Sequence, residues 1–111
     1  MLQLTGEEKA WLDAYLEALD RNHPGIVQEI FICGSGARKQ AGAEADLEVL
    51  LIVKNKAGVS KRELRRIGYL LAASTDLLPS ILAYTQDEWE SRKRNGSAFC
   101  KAVERDAVRV L

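Results

Sequence analysis

Apolar residues near the start of the chain recur at intervals of three and four, the spacing of one face of an α-helix. This face consists of Trp11, Leu12, Tyr15, Leu16 and Leu19. Thr5 and Glu8 precede it at the spacing of a capping box, in which each side chain accepts a hydrogen bond from the backbone of the other residue. The pattern predicts a helix that begins after Thr5 and stops at His23-Pro24-Gly25, because proline and glycine end helices.

Two apolar runs follow that are shorter than typical helices. Residues 26–33 have the centre Ile-Phe-Ile, and residues 46–53 open with Asp46 and Glu48 and are otherwise apolar. Short apolar runs rich in β-branched residues predict strands. A strand that is apolar at consecutive positions is buried on both faces, so we expect the second strand inside a sheet.

The second half of the chain alternates between helix and strand patterns. Ser60 and Thr85 each precede a glutamate by three residues, which predicts a helix start after each of them. The run LPSILAY between these helices predicts a third strand, and SAFCKAVERD and AVRVL predict a last helix and a terminal strand. The order predicts an α/β (α+β) domain with a small mixed β-sheet and helices packed mainly on one face.

Composition excludes several classes of protein. The 111 residues correspond to a single domain, 1–111. Sixteen basic and sixteen acidic residues cancel, so a nucleic-acid partner is not expected. No apolar run is long enough for a bilayer, and the N-terminus lacks a signal-peptide pattern. We therefore expect a cytoplasmic protein without a membrane partner, in which Cys33 and Cys100 are thiols rather than a disulfide.

The two acids at the start of the second strand are the first candidates for chemistry. Asp46 and Glu48 share one side of a strand, because alternate residues do. Two carboxylates that close repel each other unless a cation lies between them, and oxygen ligands suit Mg²⁺. The turn at Gly34 and Ser35 offers backbone N–H groups, and Arg38 adds a guanidinium suited to phosphate oxygens. The residues therefore predict a triphosphate held by the turn and a metal held by the acids.

The run CGSGAR, followed after a gap by Asp-Leu-Glu-Val, resembles the signature of the DNA polymerase β-like nucleotidyltransferase superfamily. Ten residues separate Ser35 from Asp46. The short chain and the helix before the first strand are similar to the minimal nucleotidyltransferase (MNT) domains of that superfamily. The likeness extends from about Ala14 to the end of the chain.

This resemblance implies roles for the candidate residues. Asp46 and Glu48 would be the catalytic metal ligands for Mg²⁺, and Gly34, Ser35 and Arg38 would bind the nucleotide. The implied reaction transfers AMP from ATP to a hydroxyl. MNT domains are often paired with a helical HEPN protein, which they adenylylate as antitoxins, so the implied acceptor is such a protein partner.

One position departs from the family pattern. The third carboxylate of the family falls at Ser80, and a serine cannot serve as the base for an attacking hydroxyl. Asp76 would replace it only if the third strand began earlier. The alternative function is therefore a catalytically inactive nucleotidyltransferase-like module that binds nucleotide or a partner protein.

Three further alternatives follow from the residues. Asp46 and Glu48 also suit a solvated strand end. A basic cluster at the start of one helix, comprising Lys61, Arg62, Arg65 and Arg66, is either a solvated face or a site for an acidic partner or nucleic acid. A homodimer is a further hypothesis, because a domain this small has no room for its own acceptor-binding module.

Overall fold

The structure, a computed structural model, describes residues 4–33, 47–56 and 58–111. Its elements are α1 (Gly6–Asn22), β1 (Val27–Cys33), β2 (Leu47–Val53), α2 (Lys61–Ala72), β3 (Pro79–Thr85), α3 (Gln86–Arg94), α4 (Ala98–Asp106) and β4 (Val108–Arg109). This order confirms the order predicted from the hydrophobic pattern.

The four strands form one mixed sheet in the order β3-β2-β1-β4. β1 is antiparallel to β2 and to β4, whereas β2 and β3 are parallel. Parallel neighbours need a crossover connection, and α2 is part of it. All seven residues of β2 are buried, which confirms a strand inside the sheet. The small mixed sheet with its helices confirms the predicted α+β class.

Side-chain caps fix the helix starts that the sequence predicted. The caps headed by Thr5 and Thr85 are complete capping boxes with glutamates three residues later. Ser60 accepts a hydrogen bond of 3.0 Å from the N–H of Glu63 at the start of α2. Each cap satisfies a backbone N–H that would otherwise lack an intrahelical partner.

The helices cover both faces of the sheet. α1 and α2 pack on one face, the α1/α2 face, against β2 residues that include Val49 and Leu51. α3 and α4 pack on the opposite face, the α3/α4 face, where Trp89 lies in a core with Leu50 and Ile52. The sequence predicted helices mainly on one face, and this holds for the two longer helices, α1 and α2. The two shorter ones cover the second face, because β2 is apolar at successive positions and both sides need cover.

Two buried hydrogen bonds attach α1 to α2. The indole Nε1 of Trp11 donates to the carbonyl oxygen of Gly68 at 2.9 Å, and the hydroxyl of Tyr15 donates to that of Leu64 at 2.7 Å. Donors and acceptors are each one helical turn apart, so one face of α1 lies along one face of α2. Burial raises the pKa of the Tyr15 hydroxyl well above its ordinary range, so it remains a donor.

The described residues bear on two features of the chain, the expected absence of a membrane-spanning run and the state of its two cysteines. None of the helices described has the length and apolar character that crossing a bilayer requires. Cys33 and Cys100 are both buried thiols, and both belong to the core of the α3/α4 face.

Candidate functional site

Glu48 lies near the start of β2, one residue after the strand begins. Its side chain is only 4% exposed. Leu47 and Val49 lie in the core of the α1/α2 face, whereas Leu50 and Ile52 lie in the opposite core. Because alternate residues of a strand share a face, Glu48 projects to the α3/α4 face.

The other predicted site residues, Gly34, Ser35, Arg38 and Asp46, lie outside the described residues. The structure describes the residues on either side of the segment that carries them, Cys33 at the end of β1 and Leu47 at the start of β2. β1 ends at Cys33, which is paired with Glu48 of β2. The chain therefore leaves β1 and enters β2 at the end of the sheet where Glu48 lies.

A row of three residues crosses the sheet at Glu48. Cys33 is its partner on antiparallel β1, and Ser80 is its partner on parallel β3. Residues opposite each other on paired strands project to the same face, and neighbouring strands are about 4.8 Å apart. The half-buried Ser80 is thus the neighbour of Glu48 on the next strand, at the position where the sequence resemblance implies a third carboxylate.

Asp76 does not belong to this row. β3 begins at Pro79, so Asp76 precedes the strand, and it is exposed. Its backbone N–H donates to the carboxylate of Glu7, in the first turn of α1, at 3.2 Å. Because α1 packs on the opposite face of the sheet, the main chain at Asp76 is held on the side away from Glu48. Asp76 therefore does not join Glu48 and Ser80 in this row.

The donor atoms suit magnesium only in part. Glu48 offers a carboxylate, the type of oxygen ligand that Mg²⁺ prefers. Ser80 adds a neutral hydroxyl, which is a much weaker ligand than a carboxylate. Within residues 4–33, 47–56 and 58–111, no three His, Cys, Asp or Glu side chains lie together as a metal site would need. Asp46, the second predicted ligand, is not among those residues.

Sequence reasoning missed Cys33 as a member of this row. Its side chain is 1% exposed, and its backbone partner is Glu48. The sequence showed a cysteine beside the Gly-Ser turn but contained no signal for its neighbour. Strand register is set by cross-strand packing, so this pairing is visible only once the sheet has formed.

Comparison with known proteins identifies no relative: no protein-family model, curated protein or solved structure matches the chain. The kind of site then rests on the geometry around Glu48. At this end of the sheet the structure brings together a buried carboxylate, Glu48, and a half-buried hydroxyl on the next strand, Ser80.

Proposed function

We propose that this chain is a Mg²⁺-dependent nucleotidyltransferase that transfers AMP from ATP to a hydroxyl on a protein partner. The partner that fits the sequence resemblance is a helical HEPN-type protein, with this chain as the antitoxin. The observation that supports the proposal is Glu48, a carboxylate 4% exposed at the start of an inner strand. Glutamate side chains are rarely this buried in soluble proteins, so the position of Glu48 supports a ligand-binding role.

The proposal gives each candidate residue one task. Gly34, Ser35 and Arg38 bind the triphosphate through backbone N–H groups, a hydroxyl and a guanidinium. Asp46 and Glu48 hold the metal. When bound, Mg²⁺ neutralises charge on the phosphate oxygens and orients the leaving group.

A second function, nucleotide binding without transfer, is favoured by Ser80. Transfer to a hydroxyl needs a base for its proton, and the neighbour of Glu48 on β3 is a serine rather than an acid. Asp76 lies before the strand, with its main chain hydrogen-bonded to α1. In this alternative the chain is an inactive module that binds nucleotide or a partner protein through the same surface.

Calorimetric titration with ATP, with and without Mg²⁺, tests the site assignment. We expect magnesium-dependent binding by the unaltered protein and at least about tenfold weaker binding by Asp46→Ala/Glu48→Ala, the loss of about 1.4 kcal/mol. The matched control is Asp13→Ala/Glu17→Ala, which removes the same two residue types from exposed positions on α1. Binding that is equal in all three proteins, or absent from all three, would refute the site.

Incubation with α-phosphate-labelled ATP separates the two functions. Release of pyrophosphate, with label on protein, supports the transferase. Binding without release supports the inactive module, and Ser80→Asp should then gain release if only the third carboxylate is missing. Ser80→Asn is the control, because it has nearly the same size as the aspartate variant but no charge.

A further inference from the structure

The outer side of α2 carries a basic groove that the proposed nucleotide site does not use. The groove has a volume of about 410 Å³ and is lined by Arg62, Arg65, Arg66, Tyr69 and Leu70. These five residues are the basic groove. They fall on adjacent rows of the helix surface, since residues three and four apart are neighbours there.

The basic groove faces away from the core. The buried residues of α2 are Leu64, Gly68 and Ala72, on the side that meets α1 and β3. Tyr69 is 43% exposed and Leu70 56% exposed, two of the large apolar side chains that the described residues leave at the surface. Because α2 packs on the α1/α2 face, the groove and Glu48 lie on opposite sides of the sheet.

Positive charge in the groove is poorly compensated from within the chain. Arg66 lies 3.5 Å from the carboxylate of Glu63, and the two side chains are 62% and 40% exposed. Among the residues that the structure describes, no carboxylate forms an ion pair with Arg62 or Arg65. Several guanidinium groups on one helix face repel each other, and a bound anion would relieve that repulsion.

Tyr69 forms a fixed apolar wall of the groove. The N–H of Ile81 on β3 donates to its hydroxyl oxygen at 3.0 Å, which holds the ring against the outer edge of the sheet. A side chain held in place loses little conformational entropy when a partner packs on it. Tyrosine and arginine are also the residue types that most often carry binding energy in protein interfaces.

We propose that the basic groove is a docking surface for an acidic segment of a partner protein. Carboxylates of that segment pair with Arg62, Arg65 and Arg66, and an apolar side chain packs on Tyr69 and Leu70. A nucleic-acid backbone would satisfy the arginines but would leave Leu70 without an apolar contact. The zero net charge of the chain also gives little support to nucleic-acid binding.

Fluorescence anisotropy with a labelled amphipathic peptide of glutamate and leucine tests this surface. We expect Arg62→Glu/Arg66→Glu to weaken peptide binding by on the order of tenfold or more, through charge reversal. The matched control, Lys9→Glu/Lys101→Glu, reverses two exposed charges on α1 and α4 and should bind as the unaltered protein does.

Leu70→Ser tests the apolar half of the docking surface. It should weaken peptide binding several-fold, whereas Leu78→Ser, at a residue 64% exposed outside the groove, should not. Asp46→Ala/Glu48→Ala should leave peptide binding unchanged, so failure of the nucleotide site and failure of this surface are distinguishable.

Three outcomes would overturn the proposal. The first is no peptide binding at low salt, and the second is an equal loss in the Arg62→Glu/Arg66→Glu variant and its lysine control. The third is a single-stranded oligonucleotide that binds more tightly than the peptide, with steep salt dependence and no effect of Leu70→Ser, which would assign the groove to nucleic acid.

Discussion

Gly68 is the position where one added methyl group should disturb the fold most measurably. A Cβ atom there would lie 2.5 Å from Cδ1 of Ile81 and 3.0 Å from Cζ of Tyr15. Ordinary carbon contacts are about 3.5–4.0 Å. Ile81 is 2% exposed and Tyr15 is fully buried, so neither side chain has solvent to move into. The Tyr15 ring is also anchored, because its hydroxyl donates to the carbonyl of Leu64 at 2.7 Å.

The expected magnitude follows from opposing effects of Gly68→Ala. Alanine in place of glycine inside a helix stabilises by about 1 kcal/mol where nothing obstructs it. Overpacking of a core costs roughly 1–3 kcal/mol, and displacement of the Tyr15 hydroxyl would cost about 1 kcal/mol more. We therefore expect a net loss of about 2 kcal/mol in the free energy of unfolding. In a domain of this size that loss lowers Tm by roughly 8–16 °C.

Urea denaturation followed by circular dichroism measures this loss as a lower midpoint at unchanged slope. Gly6→Ala is the control, since a Cβ at that helical position meets nothing within 4 Å and should not destabilise. In the Ile81→Val background, which lacks the Cδ1 atom, Gly68→Ala should cost clearly less. The predicted clash would be refuted if Gly68→Ala were at least as stable as the unaltered protein. It would also be refuted if Gly68→Ala lost as much stability in the Ile81→Val background as in the unaltered protein.

Three further predictions concern stability. Tyr15→Phe should lose about 1 kcal/mol in urea denaturation, because it removes the donor to the Leu64 carbonyl; an unchanged midpoint would contradict that bond. Thr5→Ala should lower the free energy of unfolding by about 1 kcal/mol in urea denaturation, because it removes the N-cap of α1. Thr5→Ser should retain most of that stability, because serine can cap in the same way. The Lys61 ammonium, 2.5 Å away, and the Thr85 N–H lower the pKa of Glu88. The charged Glu88 carboxylate therefore stabilises the fold at pH values above the ordinary glutamate pKa, and this stability is lost as the pH falls through the lowered pKa. Because the ion pair is exposed, Glu88→Gln should cost under about 1 kcal/mol at pH 7. The difference in Tm between the unaltered protein and Glu88→Gln should vanish at acidic pH. A difference that grew at acidic pH would contradict the lowered pKa of Glu88.

Most of the secondary structure was predictable because its signals are local. Thr5 and Thr85 cap helices through bonds to residues three positions away, so the sequence alone reveals them. The consecutive apolar residues of β2 likewise predicted a strand buried on both sides. The pattern did not reveal that α3 and α4 cover the second face, because their apolar residues do not specify which surface they meet.

The surroundings of Glu48 were only partly predictable from the sequence. The sequence showed that Glu48 alternates with apolar neighbours and that Ser80 precedes an apolar run. It contained no information on the surroundings of Asp76, whose backbone bonds to Glu7 across the fold. That contact depends on how α1 packs on the sheet, which no spacing along the chain expresses.

The sequence by itself determined the order of helices and strands, the helix caps and the alternation that sets Glu48 apart from Leu47 and Val49. These features depend on contacts within about four residues, for which side-chain preferences are known. Only the tertiary structure decided that Cys33 and Ser80 flank Glu48 in one row. A shift of one residue in strand register would move every side chain of a strand to the other face. The choice among registers is made by packing of the whole sheet between its helices, which joins residues far apart in the chain.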